Sequence, residues 1–346
     1  MGDEVTIMDV AEAAGVSPST VSRVINDSAP VSESTRSKVV KAVDDLGYRP
    51  NKFAHALRKQ TSEVFGVIVP DISNPFFSTL IRGAEDRFHE NDLSLIICDT
   101  KGELDKEQRN VEMLIKERVD GAIVTSAEGE VDGICRLFEE GIPVIAVDRE
   151  PTSREITAVL TDDEGSGVQA TQHLMEKGCR RIGFIRGPSG ISTAEKRFAG
   201  YRKSLEESGK TFKPELVAQG DFTFEGGKRA FEELVRLNGR EELPDGIVVA
   251  NDMMAVGVIR KAEELGIEVP EDLAIVGFDD ILLSRLINPP LTTVSAPTYE
   301  MGQIAVDFLL EKVEVDRDMA NSRKKVLKTH LVERRSSQYG ARRNGY

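Results

Sequence analysis

The chain has 346 residues, enough for two or three domains with cores of their own. It carries 45 Lys and Arg against 59 Asp and Glu, three widely spaced cysteines, no N-terminal apolar segment and no apolar run near the ~18 residues a membrane span needs. These features predict a cytoplasmic protein with reduced thiols and argue against secretion, a membrane span, a disulfide framework or a zinc site.

The stretch from Val5 to Asn26 predicts two short helices joined by a tight turn. Thr6 with Asp9 three residues on is a capping-box pattern, and Val10, Ala11 and Ala14 share one face. Gly15 supplies the positive φ that stops the first helix. Ser17 suits the N-cap of the second helix and Pro18 its first turn. On that helix Val21, Val24 and Ile25 form an apolar side, while Pro18, Ser19, Ser22, Arg23 and Asn26 form a small, polar one. Such a helix can bury one side and lay the other in the DNA major groove, although a plain αα-hairpin shares the outline. A third helix is expected between Pro30 and Gly47, capped by Ser32, with Val39, Val40, Val43 and Leu46 inward.

The charge is unevenly placed. Residues 1–60 contain eight cationic and eight acidic side chains, so the whole formal charge of −14 lies beyond them. Only the N-terminal part can approach phosphates without repulsion. Pro50 then opens PNKFAHALRK, whose composition is helical but whose length is too short for a stable isolated helix. Lys52, Arg58 and Lys59 can meet phosphates there, and Leu57 projects from it; a plain linker is the other reading.

From Val64 strands and helices alternate. VFGVIVP, LSLIICD, GAIVTS and PVIAVD read as strands buried on both faces, separated by helices at Phe77–Glu90, Asp105–Arg118 and Val131–Glu140. A second series begins near Gly165, with strands RIGFIRG, LVAQGD, GIVVAN and LAIVGFD and helices at Val168–Lys177, Ala194–Ser208, Glu225–Leu237 and Met253–Leu265. Two βα series of similar length predict two doubly wound parallel-sheet subdomains.

In this order the helix-turn-helix, RVDGAIV at 118–124, VVANDMMAVG at 248–257, VPEDLAIVGFDD at 269–280 and PPLTTV at 289–294 resemble the LacI/GalR family of bacterial transcriptional repressors over nearly the whole chain. The resemblance implies an α/β protein: a three-helix DNA-binding headpiece (1–49), a hinge helix or linker (50–60), a bilobed periplasmic-binding-protein-like effector core (61–340) and a tail (341–346). Lobe 1 would span about 61–161 and 293–322, and lobe 2 about 162–292 and 323–340, with Tyr299–Val313 returning to the first lobe. It further implies a homodimer on near-palindromic operator DNA, with a hinge that orders on DNA and drives Leu57 into the minor groove. The expected DNA contacts are Thr6, Ser17, Pro18, Ser19, Ser22, Arg23, Asn26, Lys52, Leu57 and Arg58.

In open α/β sheets ligands bind beyond the carboxyl ends of the strands. Asp148 and Arg149 end one strand, Asn251 and Asp252 another, and Asp279 and Asp280 a third. Thr193 and Arg197 flank a helix start, Phe76 and Phe77 follow the first strand, and Phe222 follows VAQGD. Carboxylates, a guanidinium and an amide pair with vicinal hydroxyls, while aromatic rings cover the C–H faces of a sugar. Asp252 as a helix N-cap and the phenylalanines as plain core are the structural alternatives. By resemblance, Asp148, Arg197, Phe222, Asn251 and Asp279 match the sugar-contacting positions of sugar-responsive members. The purine branch has an arginine where this chain has Ile191, and the branch that responds to a phosphorylated carrier protein has one where this chain has Asp307. The expected effector is a mono- or oligosaccharide, with no cofactor, metal or catalytic residue. The other readings are a purine- or phosphocarrier-responsive member, or a carbohydrate-binding module or enzyme without gene control. The Asp148/Asp279 pair is the one glycosidase-like feature, and GFIRGPSGIS matches neither a P-loop nor a dinucleotide fingerprint.

Overall fold

The computed structural model describes residues 5–25, 29–48, 61–125, 132–151, 153, 155–314 and 322–339. The chain divides into two compact units, Met1–Glu63 and Val64–Tyr346.

The first unit holds α1 (Ile7–Ala14), α2 (Pro18–Ile25) and α3 (Glu33–Leu46). Local chemistry sets their ends. Thr6 N donates to Asp9 Oδ2 at 2.8 Å while Asp9 N donates back to Thr6 Oγ1 at 3.4 Å, closing the capping box. Gly15 turns left-handed at φ 65°, and Val16 N donates to Ala11 O at 3.0 Å. Ser17 Oγ accepts from Thr20 N at 3.2 Å, and Ser32 Oγ accepts from Thr35 N at 3.3 Å. Val10, Ala11, Ala14, Val21, Val24, Val39 and Ala42 close a small core. Val40 and Leu46 were expected inward but are exposed, at 48% and 37%. Val40 lies about 100° around the helix from buried Val39, and Leu46 sits in the last turn of a fourteen-residue helix packed on two eight-residue ones. Ala42 takes the inward place.

The second unit contains two six-stranded sheets. In the first, β1 (Val64–Val69), β2 (Ser94–Asp99), β3 (Gly121–Val124), β4 (Val144–Val147), β5 (Thr157–Thr161) and β11 (Lys324–Leu327) stand in the order β2-β1-β3-β4-β5-β11, all parallel. The second orders β6 (Ile182–Arg186), β7 (Val217–Gln219), β8 (Gly246–Val249), β9 (Ala274–Asp279), β10 (Thr292–Ser295) and β12 (His330–Val332) as β7-β6-β8-β9-β10-β12. Here β12 is an antiparallel edge strand against β10. Helices α4 (Pro75–His89), α5 (Leu104–Lys116), α6 (Asp132–Glu139), α7 (Asp163–Glu176), α8 (Ser192–Glu207), α9 (Phe224–Asn238), α10 (Asp252–Glu264), α11 (Leu283–Leu286) and α12 (Thr298–Glu314) connect the strands. Among the described residues no helix is long and apolar enough to cross a membrane.

The central strands β1, β3, β4, β8 and β9 are buried, as continuous apolar runs require. LSLIICD is not: β2 is an edge strand with Ile97 44% exposed. The chain changes lobe three times: after Thr161, between Ser295 and Thr298, and between Leu327 and His330. The last two crossings fall a few residues later than expected, because β10 completes its ladder on β9 and β11 its ladder on β5 before the chain leaves. Helix α7 likewise starts five residues before the expected Val168, capped by Asp162, which accepts from Gly165 N at 3.0 Å. Its glycines serve close approach. A Cβ on Gly167 would lie 2.2 Å from Arg197 O, and one on Gly200 would lie 2.1 Å from Glu164 O, so α7 and α8 pack backbone to backbone.

Candidate functional site

Three strand ends turn sharply beneath the space between the sheets. Asp148 follows β4 at φ 69°, Asp279 ends β9 at φ 103°, and Phe222 lies just beyond β7 at φ 67°. Aspartate tolerates this conformation better than a bulky phenylalanine, so Phe222 holds local strain that its surroundings must support. These turns aim side chains into a cavity of about 660 Å3. All nine expected effector residues line it: Phe76, Phe77, Asp148 and Arg149 from lobe 1, and Thr193, Arg197, Phe222, Asn251 and Asp279 from lobe 2.

The lobe-2 wall is tied together internally. The close α7–α8 packing lets Arg197 Nε donate to Asp163 Oδ1 at 2.9 Å. Its Nη1 donates to Ala250 O at 2.7 Å and lies 3.2 Å from Asp279 Oδ1, while its guanidinium stacks 4.8 Å from the Phe278 ring centre. Burial opposes its charge, but Asp279, Asp163 and Asp148 together hold its pKa above the usual value. Burial pushes Asp163 up to about 6 against the pull of Arg197, and Asp279 well above the carboxylate range. Nη2 of Arg197 has no partner among the described residues.

Asn251 is less free than expected. Its Oδ1 accepts from Met254 N at 2.9 Å, capping α10, and its Nδ2 donates to Phe222 O at 3.0 Å. It therefore holds the Phe222 turn. Asn251, not Asp252, is the N-cap. Asp252 is fully buried and accepts from Ile281 N at 3.1 Å, Ser284 Oγ at 2.6 Å and Thr293 Oγ1 at 2.7 Å, which pins the chain just after Asp279. Burial pushes it up to about 7 despite these donors.

The lobe-1 wall is open at Asp148 and Arg149. Asp148 is 7% exposed yet accepts no hydrogen bond from the described residues, and its nearest cation, Arg149 Nε, stands 3.9 Å away. Burial raises its pKa. Nε and Nη1 of Arg149 are buried without an acceptor among the described residues. Phe76 and Phe77 sit in the first turn of α4, started by Pro75 and capped by Asn74 Oδ1 on Phe76 N at 3.0 Å; their rings meet edge to face at 5.1 Å.

Asp71, Asp99, Lys101 and Asp221 also line the cavity and were not anticipated. Asp99 ends a strand, and Asp71 and Asp221 each follow one by two residues, so the strand-end rule, applied evenly, finds all three carboxylates. Asp163 carries no such signal, because its partner Arg197 is 34 residues away.

On the candidate DNA-reading helix, Ser17, Pro18, Ser19 and Arg23 are exposed, with Ser17 Oγ bonded to Ser19 Oγ at 2.8 Å. Thr6 is exposed with its hydroxyl on Asp9. Ser22, expected on the groove face, is buried at 9%. It lies about 100° from Val21 and close enough to the buried side to be covered. Asn26, Lys52, Leu57 and Arg58 lie outside the described residues.

Residues 6–51 match the family of bacterial regulatory proteins known as the lacI family, and residues 171–337 match the periplasmic binding protein-like domain. The HTH-type transcriptional repressor PurR of Aliivibrio salmonicida is 34% identical over 310 residues, covering 89% of this chain and 92% of that protein. Among solved structures, the lac repressor dimer bound to operator and the anti-inducer ONPF is 28% identical with a TM-score of 0.86, covering 97% of this chain and 99% of that one. The complex of transcriptional regulator CelR with cellobiose is 31% identical with a TM-score of 0.73, covering 96% and 100%. A LacI family regulator from Enterococcus faecium with bound ribose is 30% identical with a TM-score of 0.71, covering 79% and 98%. With this coverage by relatives that act on genes and not as enzymes, the chain belongs to the LacI family of DNA-binding transcriptional repressors.

Proposed function

We propose that this repressor senses a small neutral sugar held between its two lobes, and that the sugar changes its affinity for a near-palindromic operator read by a homodimer. The observation that carries the reading is the Asp148 carboxylate, which accepts no hydrogen bond from the described residues, facing the same cavity as the Arg197–Asp279 pair. Vicinal hydroxyls can donate to both carboxylates and accept from Arg197 Nη2, while Phe76 and Phe222 offer ring faces to the sugar's C–H surface. The related structures holding cellobiose and ribose support this class of ligand. The kinship with PurR favours a purine instead. Against that, Ile191 lines the cavity, 2% exposed, and can offer a base no hydrogen bond. A phosphorylated carrier protein is disfavoured because Asp307 on α12 is paired with Arg87, its Oδ1 accepting from Nε at 2.6 Å.

A thermal-shift comparison of ribose, cellobiose, hypoxanthine and guanine tests the choice, since binding to the folded state raises Tm. A shift with a sugar and none with the purines is expected, and the reverse pattern overturns the sugar reading. For DNA, Arg23→Ala should cost about 1–3 kcal/mol on operator and far less on random DNA. Equal losses on both would remove Arg23 from base reading.

A further inference from the structure

The turn after β4 carries three consecutive charged residues, of which Asp148 and Arg149 line the cavity and Glu150 does not. Glu150 reaches the other lobe instead. Its backbone N–H donates to Ser192 Oγ at 2.9 Å. One carboxylate oxygen accepts from Lys196 Nζ and the other from Lys324 Nζ. Ser192 and Lys196 lie in the first two turns of α8, the helix that carries Thr193 and Arg197. Lys324 opens β11 in the sheet of Glu150's own lobe. The two ammoniums hold the Glu150 carboxyl below its usual range. A single residue outside the cavity thus joins the turn bearing the lobe-1 polar groups to the helix bearing the lobe-2 ones.

We infer that Glu150 is a positioning residue: through Ser192 and Lys196 it ties the two lobes together beside the effector cavity and so raises the affinity for the effector. The affinity part rests on the sugar reading; the tie itself does not. A ligand that bonds to both walls binds only while they stand at the right separation, so its apparent Kd is the intrinsic one divided by the fraction of molecules in that arrangement. Any contact that populates the arrangement before the ligand arrives tightens binding without touching it. A neutral sugar brings no charge, so salt dependence of its affinity would come from ion pairs between the lobes such as this one.

The two lysines provide the control. Lys196 crosses between lobes, Lys324 does not, and both side chains are partly exposed, so either can be replaced without opening the core. In the unliganded full-length protein, hydrogen exchange of the Glu150 amide reads the tie directly, because its acceptor belongs to the opposite lobe. Lys196→Gln should speed that exchange about tenfold, whereas Lys324→Gln should change it less than about twofold. With ribose and cellobiose as probes, Lys196→Gln should weaken binding about fivefold. Wild-type affinity should fall between about 0.05 and 1 M NaCl, and that slope should flatten in Lys196→Gln. Unchanged exchange in Lys196→Gln, or equal changes in both variants, overturns the tie. Faster exchange in Lys196→Gln alone, with neither sugar shifting the wild-type Tm, upholds the tie and overturns the sugar reading.

Discussion

The lobe-2 wall of the cavity satisfies most of its polar groups internally, whereas on the lobe-1 wall Asp71, Asp99 and Asn74 are bonded to nearby groups but the Asp148–Arg149 pair stays open among the described residues. Arg197 is held by Asp163, Ala250 O and Asp279, Asn251 by Met254 N and Phe222 O, and Asp252 by three donors. Opposite them, among the described residues, Asp148 has no hydrogen-bond donor and Arg149 has two buried nitrogens without an acceptor. One wall is therefore preorganised, and its geometry survives without ligand. The other carries two Arg149 nitrogens buried without an acceptor among the described residues, beside the Asp148 carboxylate that faces the cavity, and a ligand with hydroxyls could engage both. Binding free energy should come mainly from lobe 1, and folding free energy mainly from lobe 2.

Arg197→Met is the strongest way to break this contrast. It leaves Asp163 and Asp279 buried without their shared cation, and urea unfolding should show a loss of about 3–5 kcal/mol. A stable variant would mean that the lobe-2 wall does not depend on the pair. Loss of effector response in this variant would by itself report folding as much as binding. Asp148→Asn sharpens the contrast from the other side. It removes no hydrogen bond made by the described residues but takes away the carboxylate charge 3.9 Å from Arg149, so the stability loss should be clearly smaller than in Arg197→Met, while sugar binding by calorimetry should weaken by about 1.5–3 kcal/mol. A large stability loss here would make both walls structural.

The titration of lobe 2 gives a third test. Asp163 at about 6 and Asp252 at about 7 hold protons more tightly in the folded chain than in the unfolded one, where such carboxyls sit near 3.8. The folded state then binds more protons between about pH 4 and 7, so these groups make stability fall as pH rises through that window and add no further slope above about pH 8. Comparing urea midpoints of wild type and Asp252→Asn isolates the upper part of the slope; identical pH profiles would show that Asp252 is ionised throughout. The smallest effect is expected at Thr193, an open group on the lobe-2 side whose hydroxyl has no partner among the described residues. Thr193→Val should leave stability unchanged and weaken sugar binding by about 0.5–1.5 kcal/mol. A clear stability loss would mean that this hydroxyl also belongs to the internal network.

Much of this architecture is readable from local sequence. The Thr6–Asp9 box, Gly15 and Gly47 at the helix ends, and Ser17 and Ser32 at the helix starts act within a few residues, so the chain carries their whole cause. The continuous apolar runs of β1, β3, β4, β8 and β9 likewise announce strands covered on both faces. With the rule that ligands sit beyond strand ends, the ends of β1, β4, β6, β7, β8 and β9, together with the family resemblance, point to nine residues that line one cavity.

What the cavity residues do there was decided by tertiary structure. That Asn251 is engaged on Phe222 and a helix cap, that Arg197 is clasped by Asp163, and that none of the described residues donates to Asp148 all depend on which atoms meet across separations of 29, 34 or more residues. Composition and periodicity place a side chain on a face or at a strand end; they carry no information about whether a distant donor arrives to satisfy it. The same limit explains Val40, Leu46 and Ser22, whose burial depends on which faces and turns of each helix its neighbours cover. It also explains the late lobe crossings, which wait for β10 and β11 to finish pairing with strands placed earlier in the chain. Backbone preferences act over one turn or one strand, whereas burial and hydrogen-bond satisfaction are settled only when the layers pack.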